Sequence, residues 1–347
     1  ISTLEKIGYK YQYNDASFSD CANLNNISAR DCFKTYYLKL ATENRIELVI
    51  GDVVDKVKSG NNPRFYSSCH QVTHDIGYYA AVTEYKDFPL GAMKLEPQVC
   101  ATGFTHGVFQ AYWGNLSNEK ILSKVGTACK DLGITVGYYR WTCNHILGHE
   151  LVERYPETPE QVLRSCLKID DYNSINDCLS GGWMQFFSDD LTLYNFKNNE
   201  VTTEGIFRYC ESDNSQIRNM CFQETFPALA MLTNGNFKED FSICSRLQDV
   251  DAVKWCSYGV GRSVAVSSGY DMDRAVSKCK ENEGITLDYC LTSSAASVTL
   301  NRGSTNSSYR TCEMIKRKEI SLYCKEWVEM SRGIEEAGPN SKNLPTN

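Results

Sequence analysis

The chain has 347 residues, a formal net charge of -7 and 42% hydrophobic residues. This acidic balance, without a basic stripe, excludes nucleic acid and anionic membrane surfaces as expected partners. No apolar stretch reaches the length that a bilayer-spanning helix needs. Because the chain begins at Ile1 without an apolar leader, we expect a processed protein that is secreted or displayed at the cell surface.

Sixteen cysteines follow one another along the chain as eight pairs. The pairs are Cys21 and Cys32, Cys69 and Cys100, Cys129 and Cys143, Cys166 and Cys178, Cys210 and Cys221, Cys244 and Cys256, Cys279 and Cys290, and Cys312 and Cys324. In the six later pairs, 10 to 13 residues separate the partners, and the first cysteines recur every 33 to 44 residues. A repeat of this length is typical of helical hairpins. We interpret the first pair as part of a lead-in repeat and the second pair as part of a repeat that contains an insertion.

The cysteines are predicted to form disulfides within each hairpin. In residues 272–301, one amphipathic run contains Cys279, a turn follows, and a second run contains Cys290. Two antiparallel helices joined by a short turn bring such cysteines within bridging distance. Many pairings are formally possible, and only the regular spacing favours sequential ones. The CxxC spacing of zinc sites is absent, so disulfides and an oxidising compartment are favoured.

These patterns predict an all-α fold of disulfide-stapled helical-hairpin repeats, arranged as an α-solenoid or a curved helical array. We expect one continuous domain with four parts: a lead-in repeat at 1–60, histidine-bearing repeats at 61–160, stapled repeats at 161–332 and a flexible tail at 333–347. Over residues 120–332, the repeat length and the two-helix unit resemble helical-hairpin solenoids such as Sel1-like and tetratricopeptide arrays. The tetratricopeptide consensus is absent, so this resemblance implies no function.

Small residues follow the second cysteine of several pairs. Gly103, Gly181 and Gly259 each lie three residues after such a cysteine. Glycine lowers helix propensity but allows two helices to approach closely. The pattern therefore predicts tight packing between helices of neighbouring repeats.

All five histidines lie between positions 70 and 149: His70, His74, His106, His145 and His149. His70 and His74, like His145 and His149, are four residues apart and therefore share one face of a helix. His106 and His149 each lie six residues after a second cysteine. If the repeats stack in register, three consecutive repeats bring their imidazoles to one place.

Helix-borne imidazoles at this spacing indicate a transition-metal site, with copper or zinc favoured and iron possible. Asp75 and Glu150 directly follow His74 and His149, and Glu153 lies one turn further. Each carboxylate is a candidate outer-sphere partner or additional ligand. An open coordination position would let the metal activate water or oxygen.

Other catalytic motifs are absent from the sequence. Neither HExxH nor GxSxG occurs, and no CxxCH is present for covalent haem attachment. Three sequons, at Asn26, Asn115 and Asn306, are candidate N-glycosylation sites.

Two alternatives remain open at this point. The histidines are also compatible with a polar layer in a structural or recognition solenoid, such as a self-assembling surface or filament subunit or a scaffold for a surface protein partner. A small-molecule-binding ectodomain is the third possibility.

Overall fold

The computed structural model describes residues 10–24, 26–59, 62–95, 100, 103–134, 137–187, 202–302 and 305–336. Helices dominate these residues, and no strand occurs among them. The predicted all-α class is confirmed.

The described residues divide into two compact units. The first unit extends to Ser117 and includes Leu132–Ile134, and the second contains Asn118–Asp131 and the described residues from Gly137 onward. The four-part division expected from the sequence remains a prediction, and residues 337–347 of the predicted tail lie outside the described residues.

The first unit contains helices α1 (Phe18–Ala22), α2 (Asn26–Glu43), α3 (Ile46–Ser59), α4 (Pro63–Val82) and α5 (Gly103–Gly114), with 3-10 turns at Tyr11–Tyr13 and Pro89–Leu95. The second unit contains α6 (Asn118–Lys124), α7 (Ala128–Asp131), α8 (Gly137–Arg154), α9 (Pro159–Leu163), a 3-10 turn (Arg164–Lys168), α10 (Tyr172–Phe186), α11 (Thr203–Arg208), α12 (Ser215–Glu224), α13 (Phe226–Leu232), α14 (Phe237–Ser245), α15 (Val250–Ser267), α16 (Met272–Cys279), α17 (Gly284–Arg302), α18 (Thr305–Glu313) and α19 (Lys318–Glu336).

All sixteen cysteines lie in the described part of the chain and form the eight predicted disulfides. The bonds join Cys21 to Cys32, Cys69 to Cys100, Cys129 to Cys143, Cys166 to Cys178, Cys210 to Cys221, Cys244 to Cys256, Cys279 to Cys290, and Cys312 to Cys324. The Cα atoms of bonded partners are 5.3 to 6.0 Å apart. Seven of the bridges tie a short first segment to the helix that follows it, whereas the Cys69–Cys100 bridge ties α4 to the residue three positions before α5. Eight disulfides are consistent with an extracellular protein, because such bonds persist in oxidising compartments.

Local sequence explains where many helices of the second unit begin. The side chains of Asp171, Asn214, Asn236, Asp249 and Asp271 each accept a hydrogen bond from a backbone N–H in the first turn of the next helix. Short side chains of this kind replace the missing intrahelical acceptor of that turn. The caps set the start of each helix and therefore the position of its cysteine.

The core of the first unit is aromatic at its amino-terminal end. Phe18 and Phe33 each lie 5.0 to 5.1 Å, centroid to centroid, from Phe65 on α4, and Tyr37 stacks on Phe65 at 5.4 Å. Phe33, Tyr37 and Phe65 are buried, and packing of the half-buried Phe18 against them joins α1, α2 and α4.

In the second unit, six helices carry the second cysteines of their pairs, and we call them the second helices: α8, α10, α12, α15, α17 and α19. Each packs against the next along the chain, and α19 also contacts α8. An extended solenoid keeps its first and last repeats apart, so this contact indicates that the array of the second unit is curved.

Glycines allow the backbones of α8 and α10 to come into direct contact. A Cβ atom built on Gly181 would lie 1.8 Å from the carbonyl oxygen of His145. One built on Gly148 would lie 1.9 Å from the carbonyl oxygen of Cys178. Neither position can hold a larger residue unless the helices separate. The predicted close packing is confirmed here.

The same register recurs between α12 and α15. A Cβ atom on Gly259 would lie 1.9 Å from the carbonyl oxygen of Gln223. Gly181 and Gly259 each lie three residues after their own second cysteine. The carbonyls that they face belong to residues two positions after the preceding second cysteine. The contacts between second helices therefore repeat with the same register as the cysteines in the sequence.

Within the described ranges, no helix combines the length and apolarity needed to cross a membrane. Asn115 and Asn306 are exposed, as glycosylation requires, whereas the side chain of Asn26 lies outside the described set. Glycosylation remains a prediction.

We expect Gly181→Ala to destabilise the second unit by about 2 kcal/mol, because the added methyl group overlaps the α8 backbone. The matched control is Gly51→Ala at an exposed position of α3, where no atom lies within 4 Å of a new Cβ. The control is expected to stabilise its helix by about 0.5–1 kcal/mol, since alanine favours helix formation. Denaturation followed by circular dichroism distinguishes the two; equal effects would contradict the backbone-contact account.

One buried carboxyl group gives the second unit a pH dependence. Asp240 on α14 is 2% exposed and accepts a 2.8 Å hydrogen bond from the Thr233 hydroxyl. Burial raises the pKa of Asp240 to about 6, partly opposed by the Thr233 hydrogen bond. Because the folded-state pKa lies above the unfolded value, stability is lost as the pH rises from about 4 through 6.

Asp240→Asn is expected to remove this loss, since the amide stays neutral and its oxygen can still accept from Thr233. The stabilisation relative to the parent protein is expected to be near zero at pH 4 and to reach on the order of 3 kcal/mol at pH 7.5. Urea denaturation across this range measures it, with exposed Asp273→Asn as the control for net charge. A gain that does not change with pH would contradict the assignment.

Candidate histidine site

Three of the predicted ligands lie together in the first unit, and we call them the first histidine group: His70 and His74 on α4, and His106 on α5. The imidazole centroids of His70 and His106 are 5.0 Å apart, and those of His74 and His106 are 6.5 Å apart. His106 is buried, whereas the other two are half-buried. The predicted sharing of a helix face by His70 and His74 is confirmed by their common neighbour.

Close packing of α4 on α5 produces this arrangement. A Cβ atom on Gly103 would lie 2.2 Å from the carbonyl oxygen of His70, and one on Gly107 would lie 1.8 Å from that of His74. His106 lies between these two glycines in the sequence. It is therefore held against the turn of α4 that contains His70 and His74.

Hydrogen bonding fixes the tautomer of His70. Its Nδ1 lies 3.1 Å from the carbonyl oxygen of Cys100. A carbonyl can only accept, so Nδ1 carries the proton and Nε2 of the neutral ring keeps a lone pair. The expanded second disulfide thus contributes directly to the histidine group, because Cys100 is held by its bond to Cys69.

The Asp75 carboxylate lies between a cation and an imidazole. Asp75 is 6% exposed, and its Oδ2 is 3.1 Å from the ammonium nitrogen of Lys34. Its Oδ1 is 3.5 Å from Nδ1 of His74. The role of Asp75 as an outer-sphere partner or additional ligand remains a prediction, because 3.5 Å is at the outer limit for a hydrogen bond.

The remaining two histidines belong to the second unit, and we call them the second histidine pair: His145 and His149 on α8. Their Nε2 atoms are 3.1 Å apart, and their ring centroids are 4.8 Å apart. Trp141, one turn earlier, stacks on His145 with a centroid distance of 5.4 Å and an interplanar angle of 22°. His145 is 2% exposed, whereas His149 is half-buried.

Gln185 on α10 orients the second pair. Its Oε1 lies 2.7 Å from Nδ1 of His149. An amide oxygen accepts, so Nδ1 of His149 carries the proton and its Nε2 presents a lone pair towards His145. The glycine contact between α8 and α10 is what brings Gln185 within hydrogen-bonding distance.

The two carboxylates that follow this pair have other surroundings. Glu150 is 4% exposed, and its Oε2 is 3.3 Å from both Nε and Nη2 of Arg154. Burial and the nearby Glu153 carboxylate together raise the pKa of Glu150 to about 7, with Arg154 partly opposing the shift. Glu153 is exposed. The roles of Glu150 and Glu153 as ligands or orienters remain predictions.

The five histidines are thus divided between the two units. Within the ranges that the structure describes, no three His, Cys, Asp or Glu side chains form a group that could hold a metal ion. The five-histidine site therefore remains a prediction. A metal at either set would take part of its coordination from water or another small ligand.

Several neighbours of the histidines carry no sequence pattern that could have identified them. A glutamine such as Gln185 has no ligand-like spacing, and Lys34 is more than thirty residues from His70. Trp141 could have been identified, because it lies one turn before His145 in the same helix.

Comparison of the chain with protein-family models, curated proteins and solved structures gives no match. The function of the chain is therefore inferred from the geometry of its histidine site.

Proposed function

We propose that the protein is an extracellular, disulfide-stapled helical protein that binds a transition metal, with copper(II) preferred, through His145 and His149. The observation that supports this proposal best is the 3.1 Å distance between the two Nε2 atoms. In the neutral tautomers, such a contact holds one proton between two nitrogens, and a metal ion can take the place of that proton.

The distance also restricts the metal geometry. With metal–nitrogen bonds of about 2.0–2.1 Å, two nitrogens this far apart subtend roughly 100° at the metal. This angle suits neighbouring positions of a tetragonal or tetrahedral site and is incompatible with linear coordination. Imidazole suits copper, zinc and iron, and among divalent ions copper(II) binds such ligands most tightly. Zinc is the next choice.

The surroundings of the pair suit ligand binding. The hydrogen bond from His149 to Gln185 fixes the ring and leaves Nε2 free of the ring proton, as outer-sphere partners do in metal sites. The Trp141 ring stacks on the His145 ring and restricts its rotation. Because His149 is half-buried, water can complete the coordination. Water bound to such a metal ionises more readily, and an open position would support hydrolytic or redox chemistry.

The first histidine group is proposed as a second, weaker metal-binding position. His70 presents Nε2 because its Nδ1 donates to Cys100, and His106 lies 5.0 Å away, centroid to centroid. The Lys34 ammonium near Asp75 opposes a further positive charge beside His74. We therefore expect the second pair to fill first.

Metal content of the natively purified full chain tests this proposal. Inductively coupled plasma mass spectrometry before and after reconstitution with copper(II) or zinc should find at least one tightly bound ion. The double variant that combines His145→Ala with His149→Ala is expected to lose that ion. Gln185→Ala is expected to weaken binding by about 10- to 100-fold, the usual effect of removing an outer-sphere partner.

Asp273→Asn, a change at an exposed carboxylate on α16 of the same unit, is the control and should retain the metal. Circular dichroism and thermal midpoints establish that each variant is folded. Retention of all metal by the folded double variant would overturn the assignment to this pair. If the parent protein takes up no metal even after reconstitution, the proposal fails and a scaffold for assembly or recognition becomes the better account.

A further inference from the structure

A lysine and three aromatic rings form a second cluster, remote in sequence from the histidines. The ammonium nitrogen of Lys254 lies 4.3 Å from the ring centroid of Tyr323, 4.8 Å from that of Trp255 and 6.0 Å from that of Tyr289. The rings belong to three consecutive second helices, α15, α17 and α19. We call these three rings the aromatic cage.

Further aromatic rings support the cage from behind. Tyr258 lies 6.0 Å from Trp255 and 5.1 Å from Trp327, and Trp327 lies 6.0 Å from Tyr323, all measured between centroids. Tyr258 is buried, whereas Tyr323 and Lys254 are half-buried. The cage thus has a packed wall and a side that solvent can reach.

Lys254 differs from the other lysines that contact aromatic rings in the described part of the chain. Lys56, Lys94 and Lys278 each lie over a single ring, and Lys278 also donates a hydrogen bond to Ser267. Among the described residues, the Lys254 ammonium has neither a hydrogen-bond acceptor nor a carboxylate within ion-pair distance. Its contacts there are aromatic faces.

Burial lowers the pKa of Lys254, with a partial opposing effect from Asp251. Aromatic faces attract a cation, but they do not replace the water that an ammonium with three N–H donors prefers. Lys254 therefore occupies a cation site to which it is poorly suited. Its flexible stem allows the ammonium to move into solvent.

We propose that the aromatic cage of Trp255, Tyr289 and Tyr323 binds quaternary ammonium groups, and that Lys254 fills the cage when no ligand is present. A quaternary ammonium has no N–H donors, so it gains the aromatic contacts without losing hydrogen bonds to water. Three faces around one cation are the arrangement that such ligands require. Entry of the ligand displaces the Lys254 side chain outward.

Isothermal titration of the full chain with tetramethylammonium chloride, against ammonium chloride at equal ionic strength, tests this inference. We expect saturable binding of tetramethylammonium, about tenfold tighter than that of ammonium. Lys254→Gln removes the internal competitor and should tighten binding about tenfold, whereas Tyr323→Leu should weaken it by at least as much. Lys278→Gln, which removes a lysine from a single ring, should leave the affinity unchanged.

Two further arms identify the source of the ligand. Choline in solution represents a free metabolite, and phosphatidylcholine vesicles in a co-sedimentation assay represent a lipid headgroup. Binding in either arm that Lys254→Gln strengthens supports the cage. Absence of saturable binding, or equal affinities for the parent protein and folded Lys254→Gln, would overturn the proposal. The Lys254→Gln comparison remains decisive if Tyr323→Leu fails to fold.

Discussion

Backbone contact between neighbouring second helices is the constraint on which the second unit depends. A helix that presents glycine to the carbonyl of its neighbour can approach much more closely than one with a side chain there. Gly181 on α10 and Gly259 on α15 make this contact with equivalent carbonyls of the preceding second helices. The disulfides hold each second helix to its own first segment, so the close contact is repeated in a fixed register. Side chains beside the glycines are consequently pressed against those of the next helix.

The polar chemistry of the second unit follows from this register. One residue before Gly181, the Ser180 hydroxyl donates a 2.6 Å hydrogen bond to Glu224, a fully buried carboxylate on α12. Arg262 on α15 forms an ion pair with the same carboxylate. At the preceding contact, between α8 and α10, Gln185 lies beside His149 in the same way. Buried polar groups between tightly packed helices need such partners, because an unpaired one is costly. The histidine pair is thus one member of a series of polar contacts that cross the second helices.

The sequence was sufficient to predict the fold class and the disulfides, because both depend on local spacing. Ten to thirteen residues between cysteines, as between Cys210 and Cys221 or Cys129 and Cys143, span one helical hairpin. The recurrence of that spacing favoured sequential pairing over the alternatives. The four-residue separations predicted correctly that His145 and His149 meet on one helix face.

The division into two compact units was not predicted, since no Pro, Gly or Ser-rich linker marks it. Residues such as Gln185 and Lys34 were also missed, because their roles depend on helix packing rather than on any pattern in the chain.

The proposed metal site requires that Nε2 of His149 carries a lone pair that faces Nε2 of His145, and the hydrogen bond from His149 to Gln185 is what favours this tautomer. Long-range proton–nitrogen NMR correlation of protein labelled with ¹⁵N-histidine measures this directly, with His145→Ala and His149→Ala used to assign the signals. We expect His149 to be the Nδ1–H tautomer in the metal-free protein, and both Nε2 resonances to shift on addition of one equivalent of zinc. An Nε2–H tautomer at His149, with no response of either ring to zinc, would overturn the assignment of this pair as the metal site.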